Sequence, residues 1–68
     1  MNEDKLNIEI RKFLKKVGIS SQRLIENQIY NAIKDGSIKE GDKIDLEMRL
    51  NIKNFNFENI INERINID

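Results

Sequence analysis

The chain has 68 residues, which is enough for one small domain and too few for two. It contains no Cys and no His, so it lacks disulfides, soft metal ligands and the commonest catalytic base and thiol nucleophile. Twelve basic and twelve acidic side chains cancel, which excludes a strong overall field for binding nucleic acid or a membrane.

The short length also bears on stability. A domain of this size gains only a few kcal/mol from its core, and small domains are usually supplemented by disulfides, a metal or a partner chain. Without Cys or His, a partner chain is the supplement that remains. We expect a cytoplasmic protein without a membrane partner, because the first four residues are acidic rather than basic and no apolar run approaches the roughly 18 residues of a span.

The first predicted element is a helix over about residues 3–17. Its apolar residues are spaced by four, three, one and three, which is one stripe of a helix with 3.6 residues per turn: Leu6, Ile10, Phe13, Leu14 and Val17. Asn2 or Asp4 can cap the start of this helix. Gly18 is placed to end it in the left-handed conformation.

A second helix is predicted over about residues 21–35. Ser20 is its predicted N-cap, with Ile19 and Leu24 at the spacing of a hydrophobic staple. Apolar residues continue at helical intervals up to Ile33, and Gly36 is the predicted stop. The join of two to three residues predicts a sharp corner or an antiparallel pair of helices.

The apolar period then changes to two, which predicts strands over about residues 43–53 and 59–67. Pairing Leu50 with Ile61 places the inward-pointing Glu63 opposite Met48, so we expect a bulge, an edge position or a slipped register there. Between the strands lie two aromatic residues, Phe55 and Phe57. They are predicted to fold back on the core, and the alternative is an exposed contact surface.

The predicted fold is α+β: two N-terminal helices packed on a C-terminal antiparallel β-hairpin, as a single ααββ domain over residues 1–68. A two-stranded sheet has two open edges, which predicts a homodimer through a strand edge. The shared periodicity predicts a core of Leu6, Ile10, Phe13, Leu14, Val17, Leu24, Ile25, Ile29, Ile33, Ile44, Leu46, Met48, Leu50, Ile61 and Ile65.

One segment is basic although the whole chain is neutral. The turn around Gly18 resembles that of a helix-turn-helix DNA-binding motif, but Leu14 replaces a small residue and Asn27 an apolar one. The simpler interpretation is that cations near a helix C-terminus complement the helix dipole. The candidate partner-binding residues are Arg11, Lys12, Lys15, Lys16, Gln22 and Arg23.

No catalytic, cofactor-binding or metal-binding residues are predicted. The adjacent carboxylates Asp45 and Glu47 alternate on the outer face of a strand, which is typical of a solvated surface. Gly36 and Gly41 have the spacing of a phosphate loop, but the following Lys-Ser/Thr is missing. We therefore expect that the protein is not an enzyme and needs no cofactor.

The N-terminal half resembles a known family. The motifs are Asn2-Glu3-Asp4, Asn7, Ile10 to Lys15, Val17 to Arg23 and Ile25-Glu26. They are similar to a family of short, uncharacterised bacterial proteins, found mainly in alphaproteobacteria and about this long. The resemblance implies a small bacterial domain and no mechanism.

Our interpretation is a non-enzymatic protein-interaction module that forms a homodimer, with an unknown protein or itself as partner. The alternative is a small helix-turn-helix-like protein that binds nucleic acid through the basic helix corner. A nuclease-sensitive partner would favour that alternative.

Overall fold

A computed structural model describes all 68 residues. It contains one helix, α1 (Glu3–Lys34), followed by two strands, β1 (Lys43–Ile52) and β2 (Phe57–Asn66). The strands form a two-stranded antiparallel sheet. The predicted α+β class and β-hairpin are confirmed, whereas the prediction of two helices is wrong. The chain divides into two compact units, Met1–Ser37 with the helix and Ile38–Asp68 with the hairpin.

α1 continues through the predicted corner. Gly18 does not have a positive φ, and Ser20 lies inside the helix instead of capping a new one. The physical reason is that a glycine in a helix interior costs only about 1 kcal/mol relative to alanine, so it ends a helix only where other signals agree. Here the apolar spacing continues across Gly18, because Val17 and Leu24 are seven residues apart, which is about two turns of an α-helix.

Both ends of α1 are capped. At the start, the Asn2 Oδ1 accepts a hydrogen bond of 3.1 Å from the Lys5 N–H, as one of the two predicted caps. At the end, Gly36 has φ 82° and its N–H donates to the Ile33 carbonyl oxygen at 3.2 Å. The predicted glycine stop is therefore confirmed at residue 36 and wrong at residue 18. The positive φ of Gly36 explains the difference, because a side chain would strain that position.

The hairpin register differs by two residues from the predicted one. Ile61 faces Met48 instead of Leu50, and Glu63 faces Leu46. Ten consecutive pairs run from Lys43 to the last pair, Ile52 with Phe57, so the expected irregularity at Glu63 is a shifted register without a bulge. The loop has only four residues, 53–56, so β2 starts two residues earlier than predicted. The Ile52–Phe57 pair next to this loop joins a β-branched and an aromatic side chain, which is a favourable cross-strand contact.

The two faces of the hairpin have opposite character, because side chains alternate along each strand. One face carries Glu63 and Asn59 as its only polar residues; its apolar residues are Ile44, Leu46, Met48, Leu50, Ile52, Phe57, Ile61 and Ile65. The other face is polar except for Ile60. The ladder extends one step past the strands, where the Ile67 N–H donates to the Asp42 carbonyl oxygen at 2.8 Å.

No side chain is buried within the helix unit or within the hairpin unit, so neither unit by itself forms the predicted core. Phe13 is 56% exposed and Met48 41%. Phe55 is 62% exposed, so it does not cap a core as predicted. A lone helix cannot cover its own apolar stripe, and a two-stranded sheet has no second layer within its unit. No helix has the length and apolar character needed to span a membrane.

Candidate partner-binding surface

The candidate residues all lie on α1 and all are exposed. They form two sets of three. Within each set the second residue follows the first by four positions and the third follows it by eleven. On an α-helix both steps bring the side chain back to within about 40° of the direction of the first. One set is Arg11, Lys15 and Gln22, and the other is Lys12, Lys16 and Arg23. The continuous helix therefore aligns the six residues in two adjacent columns, each about 17 Å long. We call this set the basic surface.

The basic surface lies opposite the apolar stripe of the helix. Helical geometry places Phe13, Val17 and Leu24 about half a turn from the middle of the two columns. One large apolar residue, Ile19, lies between the columns and is 48% exposed. The surface is thus a cationic strip with an exposed isoleucine at its centre.

Most of the positive charge on this strip is unpaired. The only ion pair is Lys12 Nζ with Glu9 Oε1 at 3.4 Å, and both side chains are about 70% exposed. Such solvated pairs contribute roughly 0 to 1 kcal/mol, so Lys12 also remains available to a partner. Arg11, Lys15, Lys16 and Arg23 have no ion pair.

The helix-turn-helix interpretation is wrong as a matter of geometry. That motif needs a turn so that its second helix can enter the major groove, and α1 has no turn around Gly18. Ser21, which the motif would use to read bases, is half-buried. Any contact of the basic surface with nucleic acid would have to use a single straight helix.

On the hairpin, the polar face holds a cross-strand ion pair that the sequence analysis missed. Asp45 and Arg64 face each other, with Arg64 Nε donating to Asp45 Oδ1 at 2.7 Å and Nη2 donating to Oδ2 at 3.4 Å. The hydrogen bond from Arg64 and then its charge lower the pKa of Asp45, and the same contacts raise the pKa of Arg64. The predicted register paired Asp45 with Asn66, so only the correct register could have revealed this pair.

A second arginine engages the other carboxylates of this face. Arg49 Nε lies 3.4 Å from Glu47 Oε2, and Arg49 Nη1 lies 3.8 Å from Glu58 Oε1. Asp45 and Glu47 are each occupied by a different arginine, so they are not arranged as a pair that shares a proton. No group of three acidic side chains lies together as metal ligands.

The hairpin tip holds a shallow depression of about 510 Å³, lined in part by Ile52, Phe55 and Phe57. Phe57 belongs to the last strand pair and is 44% exposed, and Phe55 lies in the loop 53–56 and is 62% exposed. Phe57 therefore lies at the end of the apolar face, and both aromatic residues line the depression.

A single helix joined to an antiparallel hairpin defines a small α+β protein with exposed apolar and basic faces. The chain matches the family of unknown function DUF6494 over residues 1–68 and belongs to that family. The expectation of an uncharacterised family is confirmed. No curated protein and no solved structure matches the chain.

Proposed function

We propose that the protein is a non-enzymatic protein-interaction module that acts as a homodimer. The observation that carries this proposal is the absence of any buried side chain. Taken by itself, the helix has no neighbour that covers its apolar stripe, and the two-stranded sheet has no second layer over its apolar face. Small domains commonly cover such faces by oligomerisation.

The interaction role is favoured over catalysis by the chemistry of the side chains. The chain has neither His nor Cys, and its strand carboxylates Asp45 and Glu47 are engaged by arginines. Carboxylates that contact arginines on an exposed strand face suit a solvated surface and not a general acid.

The proposed route to the dimer is a strand edge. β1 and β2 pair only with each other, so the outer side of each strand carries a row of unpaired N–H and C=O groups. A two-stranded sheet is marginal by itself, and pairing with a second copy would make it a four-stranded sheet.

Sedimentation equilibrium tests the self-association. We expect the mass of a dimer at high micromolar concentration and a shift toward monomer on dilution. Monomer alone across the whole range would contradict the proposal.

The basic surface is proposed to bind an acidic partner. A nucleic acid is the second candidate, favoured by the four unpaired cations along about 18 Å of helix, which could each meet a phosphate. For about four phosphate contacts with duplex DNA, the log–log slope of affinity against salt would be roughly −3 to −4.

Two double variants that lose the same charge distinguish binding through the basic surface from a general effect of lost charge. Lys12→Gln with Lys16→Gln changes the basic surface, and Lys39→Gln with Lys43→Gln removes the same charge from the hairpin unit. We expect the first pair to weaken binding to polyglutamate and to flatten any salt slope with DNA, and the control pair to leave both unchanged. No binding of either polyanion at low salt would contradict a role for this surface.

A bacterial origin and a cytoplasmic location stay predictions. The first is supported by the resemblance over residues 1–26.

A further inference from the structure

We propose that the dimer forms by antiparallel pairing of the β1 edges of two copies, around a two-fold axis at Met48. The product is a four-stranded sheet in the order β2-β1-β1-β2, with one continuous apolar face. This inference rests on the proposed self-association and names the surface and register that produce it.

The hydrogen-bond pattern between β1 and β2 determines which backbone N–H and C=O groups of β1 point away from β2. The Ile67 N–H bonds to the Asp42 carbonyl at 2.8 Å, and hydrogen-bonded pairs alternate with non-bonded pairs along antiparallel strands. The residues of β1 that direct N–H and C=O groups outward are therefore Lys43, Asp45, Glu47, Arg49 and Asn51. An edge-to-edge dimer must join these residues to each other.

With the axis at Met48, the β1 edge is complementary to itself. Glu47 faces Arg49 of the second copy, and Arg49 faces Glu47, so two ion pairs form symmetrically. On the apolar face, Leu46 meets Leu50 and Met48 meets Met48 of the second copy. Pairs of opposite charge and pairs of large apolar side chains are the arrangements that stabilise neighbouring strands.

The neighbouring registers lack this match. An axis at Leu46 places Asp45 opposite Glu47, and an axis at Glu47 places two Glu47 side chains opposite each other. An axis at Arg49 does the same with two arginines. Like charges directly opposite each other destabilise a strand pair. Only the axis at Met48 pairs nine residues of each strand without such a conflict.

The edge of β2 is less suited to pairing. Its Glu63 points to the apolar face, and a charge directed inward on an outer strand is a known device against edge-to-edge association. The symmetric β2 pairing around Ile61 would set Glu63 beside Asn59 within an apolar surface. β1 has no charge on its apolar side.

A single cysteine tests the axis, because the chain has none of its own. In the proposed dimer the two Met48 residues form a non-bonded pair with Cα atoms about 4.5 Å apart, which suits a disulfide. We expect Met48→Cys to form a covalent dimer under mild oxidation at dilute concentration. Ile61→Cys, on β2 directly opposite Met48, is the control and should stay monomeric. Faster cross-linking of Ile61→Cys would overturn the inference.

Charge reversal tests the register. Arg49→Glu or Glu47→Arg alone places like charges opposite each other twice, and should weaken self-association by about tenfold. Mixing the two variants should restore a heterodimer, and the double reversal should restore the homodimer. Restoration by mixing also shows that both variants are folded.

The outcomes separate the two proposals. If the unaltered protein is monomeric, both the homodimer and its register are overturned. If it is dimeric but charge reversal has no effect, the register is wrong while self-association stands.

Discussion

At the scale of single residues, the glycines at positions 18 and 36 show that the surrounding residues determine whether a glycine ends a helix. Gly36 has φ 82° and needs to be glycine. A Cβ added at Gly18 would meet nothing within 4 Å, so neither conformation nor space within the chain requires glycine there. The same residue type therefore ends a helix at one position and is carried through it at the other.

This contrast predicts opposite effects of alanine at the two sites. Gly18→Ala should stabilise the protein by about 0.5–1 kcal/mol and raise helicity, because alanine is the better helix former. Gly36→Ala should destabilise it by roughly 1 kcal/mol, because L-residues are strained in the left-handed conformation. Circular dichroism at 222 nm during chemical unfolding measures both. Destabilisation by Gly18→Ala would indicate the corner that the sequence pattern predicted.

At the scale of elements, the hairpin is organised by side-chain pairs across its strands. Arg64 bonds Asp45 through two nitrogens on the polar face, while apolar pairs such as Met48 with Ile61 occupy the other. A slip by one residue would exchange the faces, and a slip by two keeps the faces but changes every pair. The ion pair therefore reports the register directly.

The pKa of Asp45 gives a pH test of that register. Hydrogen bonding to Arg64 lowers it below the ordinary 3.8, so the pair contributes stability above about pH 3.8 and loses it as the pH falls through the lowered value. Arg64→Gln should return the pKa of Asp45 toward 3.8 in a carboxylate NMR titration. Arg49→Gln, on the same face, is the control and should leave it low. An Asp45 titration unaffected by Arg64→Gln would exclude the observed pairing.

At the scale of the whole molecule, stability should depend on association. Neither a lone helix nor a two-stranded hairpin is more than marginally stable in water. Neither unit has a second layer over its apolar face. In the proposed homodimer, folding and dimer formation are linked by mass action.

The linkage predicts a melting temperature that rises with protein concentration. Over about a hundredfold range, a dimer that unfolds to monomers should show a steady increase, since dilution favours the dissociated, unfolded chains. Scanning calorimetry at several concentrations measures it, with Arg49→Glu as a variant expected to melt lower. A melting temperature independent of concentration would indicate a stable monomer.

The sequence by itself determined the α+β class, the ends of the long helical region and the alternation of β1, because these depend on local features. Asn2 and Gly36 act within one turn of helix, and the alternation of Ile44, Leu46 and Met48 follows from strand geometry alone. The candidate basic residues were also correctly placed on a helix, although their corner was not.

Only the tertiary structure decided the continuity of α1, the hairpin register and the absence of buried side chains. Gly18 and Ser20 are compatible with both a helix end and a helix interior, and the difference of about 1 kcal/mol is too small for local preference to settle. The predicted and observed registers both keep the apolar residues of β1 and β2 on one face, so periodicity could not distinguish them; the loop and the Asp45–Arg64 pair do. Burial depends on which elements pack against each other. The spacing of apolar residues predicts that an element has an apolar face, but it does not predict which element packs against that face.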